Sequence, residues 1–103
     1  MVTKDEIGDP QSLKMTTDVI SADGTATRMQ DGSTETMIFS VRQCVAYLST
    51  LFTLFPGDVI TTGTPPGVGA GKKPSPIFMK DGDTVELRVD GLGVQRCSVR
   101  GEQ

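Results

Sequence analysis

The run from Gly57 to Gly69 (GDVITTGTPPGVG) holds the densest set of groups in the chain that are suited to chemistry. Three threonine hydroxyls, Thr61, Thr62 and Thr64, are interleaved with glycines that let backbone approach a ligand closely. Pro65 and Pro66 fix the exit direction of the Gly63-Thr64-Pro65 turn. Hydroxyls and backbone N–H groups arranged in this way can hold an anionic oxygen. On residue types alone the same stretch also reads as an ordinary strand-to-loop connection, since Gly and Pro punctuate loops generally.

Other chemistries are narrowed by what is missing. The chain has no histidine, which removes Ser-His and Cys-His nucleophile pairs and any imidazole-ligated zinc site from within it. Cys44 and Cys97 match no Cys-x-x-Cys spacing and read as reduced thiols of a cytoplasmic protein, one on a helix and one in a strand. No secretory pattern opens the sequence and no apolar run is long enough to span a membrane. Net charge is −3 and the basic residues are scattered, so nucleic-acid binding is not expected. Asp5, Glu6 and Asp9 read as a solvated acidic loop rather than a cation site, which needs several oxygens at fixed geometry. Gly67 to Gly71 is not a P-loop, because Lys72-Lys73-Pro74 follows where a helix would have to start.

These groups must be positioned by a small amount of regular structure. Length and composition (103 residues, 36% hydrophobic, twelve Gly, no Trp) point to one small, turn-rich, β-dominated domain or part of a larger one. Residues 1–12 read as a loop. Leu13 to Ile20 alternates with period two and Thr25 to Met29 returns across the Asp23-Gly24 turn, predicting a hairpin. Gln30 to Thr34 reads as a second polar turn. One helix is expected over 40–55, capped by Ser40 with Gln43 and ended by Pro56-Gly57. Its stripe of Val41, Cys44, Val45, Leu48, Leu51, Phe52 and Phe55 is expected to pack on the chain's own sheet. Val59 to Thr62 reads as a short central strand. Thr84 to Val89 and Val94 to Arg100 form a second hairpin, with Val85, Leu87 and Val89 inward.

In order, the chain carries Gln30-Asp31-Gly32-Ser33-Thr34, Met37-Ile38-Phe39-Ser40, Pro56 to Gly69, Gly82-Asp83 and Gly91-Leu92-Gly93. In these elements it resembles the C-terminal part of the catalytic domain of the fumarylacetoacetate hydrolase family, from about Val2 to Val99. The resemblance implies an α+β, mostly β fold, a mixed β-sheet roll with one main helix. It implies a Mg²⁺- or Mn²⁺-dependent enzyme acting on a 2-oxo or β-diketo acid by C–C hydrolysis, isomerisation, decarboxylation or hydration. In the family the cation is held by a Glu-x-Glu pair and a later Asp, all upstream of the matching region, and no Glu-x-Glu occurs here. The expectation is therefore a partial catalytic domain over 1–103 that binds no cation tightly by itself. Its expected partner is a second copy or a chain carrying the N-terminal half.

What the resemblance transfers is substrate contact by Thr64, with Gly63 and Pro65 shaping the turn. Ser33, Glu35 and Thr36 depart from the family pattern, where Asn and Ser-Asp are common. The alternative from another class is a non-catalytic remnant that self-associates.

Overall fold

The computed structural model describes residues 1–102. Its centre is a four-stranded sheet ordered β2-β1-β3-β4, built from β1 (Lys14–Ile20), β2 (Ala26–Ser33), β3 (Thr84–Val89) and β4 (Gly93–Ser98). Two hairpins make it, joined by antiparallel pairing of β1 with β3. The α+β, mostly β class holds. All pairings among these four strands are antiparallel, so the mixed character of the roll is not contained in them.

The first hairpin turns where Asp23 and Gly24 require it, with Asp23 Oδ1 accepting from Thr25 N at 2.9 Å and Gly24 at φ 91°. That hydrogen bond holds the Asp23 carboxyl below the ordinary Asp range. The second hairpin closes with Leu92 N donating to the Val89 carbonyl.

The two sheet faces differ in chemistry. On one, Arg28, Asp18, Glu86 and Arg96 stand directly opposite one another across all four strands. Arg28 grips Asp18 with two guanidinium nitrogens, and Arg96 Nη1 reaches Glu86 Oε1 at 2.7 Å. The Asp18 hydrogen bond raises the already high Arg28 pKa further. On the other face, Thr17, Val19, Val85 and Leu87 line a cleft of about 320 Å³ roofed by Gly67 to Ala70 and Ile77 to Met79. Val85 and Leu87 therefore face inward as predicted, although Leu87 stays exposed.

Five expectations are corrected. Residues 30–33 are not a turn but the second half of β2, which continues past a bulge at Met29: Thr17 pairs with Gln30 and Asp18 with Arg28. Pairing to β1 overrides the turn-like composition of Gln-Asp-Gly-Ser. Residues 1–12 include one helical turn, α1 (Lys4–Ile7), started by the Glu6 carboxylate accepting from Thr3 N at 2.8 Å.

The main helix, α2 (Val41–Leu51), is capped as predicted: Gln43 N donates to Ser40 Oγ and Ser40 N to Gln43 Oε1. It stops four residues before Phe55, because the Asp58 carboxylate takes the Phe55 N–H that a longer helix would give to Leu51. None of its residues is buried, and Val45, Leu51, Phe52 and Phe55 are exposed, so the stripe does not pack on the sheet of its own chain.

Val59 to Thr62 forms no strand. No described strand lies beside it, its backbone bonds to no other backbone group among the described residues, and Val59 is 85% exposed.

Candidate functional site

The site is assembled where β2 meets the loop from Gly63 to Lys72. The bulge makes the meeting possible. Strict alternation would place Gln30 on the charged face with Arg28, whereas the extra residue Met29 brings both Met29 and Gln30 to the cleft face.

From there Gln30 reaches the threonine turn. Its Nε2 donates to Thr64 Oγ1 at 2.9 Å and to the Pro65 carbonyl at 2.9 Å, while its Oε1 accepts from Thr17 Oγ1 at 2.9 Å. Pro65 Cβ also packs near Gly32, 3.5 Å from where a Gly32 Cβ would lie.

The rest of the loop is fixed to the same strand. Lys72 Nζ donates to the Met29 carbonyl at 2.9 Å. Gly67, at φ 109°, passes so close that a Cβ there would lie 2.2 Å from that carbonyl oxygen. Gly69 is equally confined: its carbonyl accepts from Ile77 N, and a Cβ on it would lie 1.9 Å from Ile77 O. These two glycines are required by space.

The predicted residues are thus placed on one turn. Thr64 is exposed, Gly63 adopts φ 86°, and Pro65 is half-buried against β2. Of the flanking positions, Ser33 caps a 3₁₀ turn over Thr34–Thr36 through Glu35 N, at 3.1 Å. Thr34 Oγ1 accepts from Leu13 N at 2.9 Å. Both are structural ties at the end of β2. Gln30 was missed as a functional candidate. Its signal lay in opening the Gln-Asp-Gly-x-Thr element, in which it alone carries a donor and an acceptor on one long side chain.

The model of the fumarylacetoacetate hydrolase C-terminal domain matches residues 1–100. The chain belongs to the fumarylacetoacetate hydrolase family. Among its relatives, the 2,4-didehydro-3-deoxy-L-rhamnonate hydrolase of Sphingomonas sp. (strain SKA58) is 54% identical over 99 residues, covering 96% of this chain and 33% of that protein. The crystal structure of maleylpyruvate hydrolase from Sphingobium sp. SYK-6 superposes with a TM-score of 0.76 at 31% identity, over 96% of this chain and 32% of that one. The chain therefore spans about a third of the length of the family members it matches.

A divalent cation, which the family resemblance implies, does not fit the residues present. Among the described residues no three of Cys, Asp and Glu converge as a ligand set. Asp18 and Glu86 are committed to arginines on the charged face, and Asp83 Oδ2 accepts from Lys80 N at 2.8 Å. Asp5, Glu6 and Asp9 do not converge either; Glu6 serves Thr3 and Asp9 serves Gln11 N. Among the described residues no helix is long and apolar enough to cross a membrane.

Proposed function

We propose that this chain is a portion of a fumarylacetoacetate-hydrolase-family hydrolase that acts on a 2-oxo or β-diketo acid, and that it supplies one wall of the substrate pocket. The observation that carries this reading is the Thr64 turn: it is fixed to the sheet on one side and open to solvent on the other. An exposed hydroxyl in a fixed position can bind a substrate carboxylate without adding a charge that competes with a cation. Gly63 and Pro65 hold the turn in shape. Mg²⁺ or Mn²⁺ would be held by residues in the two thirds of the family fold that this chain does not span. Those residues come from a partner chain or from the same polypeptide, in a cytoplasmic homodimer. Among the reactions known for the family, hydrolysis is the one named for its relatives here.

The exposed stripe of α2 favours a second reading, a self-associating module without activity. One experiment separates the two. The chain is assayed alone, and fused behind the first two thirds of the Sphingomonas relative, on 2,4-didehydro-3-deoxy-L-rhamnonate and on maleylpyruvate with Mg²⁺. We expect no turnover by the chain alone and turnover by the fusion. Thr64→Val in the fusion should raise KM by about 10- to 100-fold, the loss of one hydrogen bond to a charged group. A fusion that folds, binds Mg²⁺ and never turns over either acid supports the module instead.

A further inference from the structure

Gln30 does more than attach a loop to a strand, because its three hydrogen bonds have fixed directions. A side-chain amide oxygen can only accept, so Thr17 Oγ1 must be the donor at that end. The Pro65 carbonyl can also only accept, so the amide nitrogen must face Pro65, and the amide cannot be turned over. Both hydrogens of the nitrogen are then in use, one on Pro65 and one on Thr64 Oγ1. Thr64 Oγ1 is consequently held as an acceptor on its β2 side, and its own O–H is its one remaining donor. Among the described residues no acceptor takes it, and the side chain is open to solvent.

We propose that Gln30 is a positioning residue for the substrate: with Thr17 behind it, it occupies one lone pair of the Thr64 hydroxyl and frees the hydroxyl hydrogen to point outward, so the turn favours anionic oxygen. This rests on the reading of Thr64 as a substrate contact. The selection is one of polarity. Without Gln30 the hydroxyl can rotate and give its hydrogen to the Pro65 carbonyl or to solvent, leaving the pocket with lone pairs that repel a carboxylate. The bulge at Met29 belongs to the device, since it brings Gln30 to the face from which Thr64 can be reached.

The test is a double-mutant cycle in the fusion described above, with an NMR measurement on the 103-residue chain. Gln30→Met should raise KM about 10-fold with little change in kcat. In a Thr64→Val background it should add nothing, because the group it orients is gone. A residue acting only as a loop tie would lose its Pro65 bond in both backgrounds, so Gln30→Met multiplying the Thr64→Val defect overturns the proposal. A KM unchanged by Gln30→Met overturns it as well. Should Thr64→Val leave KM unchanged while Gln30→Met raises it, Thr64 is not the contact, and the reading beneath the proposal fails first.

The NMR measurement stands whether or not the fusion is active. In the 103-residue chain, the Gln30 side-chain amide protons should move on Thr64→Val and again on Thr17→Val. Unmoved resonances in a folded chain would show that the hydrogen-bond chain does not exist in solution.

Discussion

Gly67 shows how narrowly single residues define the candidate site. Its φ of 109° lies where a side chain is strained, and the Met29 carbonyl oxygen would sit 2.2 Å from any Cβ. That oxygen cannot retreat cheaply, since it belongs to the bulge and is held by Lys72. Gly67→Ala should therefore lower stability by at least about 2 kcal/mol, from backbone strain together with overpacking. Chemical denaturation of the fusion with and without the substitution measures this. A drop under half that size would mean the loop re-docks easily and Thr64 is less firmly placed than it looks. Gly71 makes the contrast: the nearest atom to a Cβ there is a Val68 methyl at 3.7 Å, and the substitution should be mild.

At the scale of elements, α2 depends on its caps more than a packed helix does, because none of its residues is buried. Short helices are marginal unless packing holds them. Ser40→Ala removes the hydroxyl that accepts from Gln43 N and should cost about 1 kcal/mol. In this chain the loss should appear as fraying of the first turn, read by faster amide exchange at Val41 to Cys44, ahead of any change in the sheet. Equal acceleration across β1 and β3 would mean that helix and sheet unfold together.

What was legible in the sequence also divides by element. Both hairpins could be read because their signals are local: period-two alternation and an Asp-Gly or Gly-rich turn. The Ser40–Gln43 cap could be read for the same reason. The second half of β2 could not, since Gln30 to Ser33 has a turn's composition and becomes strand only through its pairing with β1. The bulge, and with it the role of Gln30, was hidden behind that same pairing. Val59 to Thr62 has the composition of a strand without a described neighbour to pair with, so propensity alone overstated it. Thr64, Gly63 and Pro65 are candidates by resemblance and hydroxyl chemistry; what holds their turn to β2 is tertiary.

For the whole molecule, the sheet is continuously paired while many large apolar side chains stay exposed. The radius of gyration is 16.4 Å, against about 13 Å for a compact domain of this length. Accessible surface is 8121 Å², where a folded monomer of 11.0 kDa exposes about 5,600 Å². Ile38, Phe39, Tyr47, Leu51, Phe55 and Val59 contribute to the excess. Large apolar side chains left exposed in this number are what a further part of the fold or a partner would be expected to cover. Supplying the remaining two thirds of the family fold should bury this surface, which small-angle scattering and dye binding would register. The fused chain should lose nearly all binding of a hydrophobic dye that the chain alone displays. Full retention of dye binding in the fusion would mean that the remaining two thirds of the fold leave this face uncovered.

The bulge at Met29 has a further consequence for how this sequence can change over evolutionary time. Because Met29 is the one extra residue, loss of its codon would leave Arg28 and Gln30 in plain alternation, still opposite Asp18 and Thr17 and still on opposite faces. Straightening of the strand with Met29 retained would instead carry the Gln30 carboxamide into the arginine row, away from Thr64. Loss of Met29 is thus a length change that this part of β2 can absorb without moving Gln30 off the cleft face. The Ser21 to Thr25 turn at the other end of the same hairpin, exposed over most of its length, is the place where length variation can accumulate.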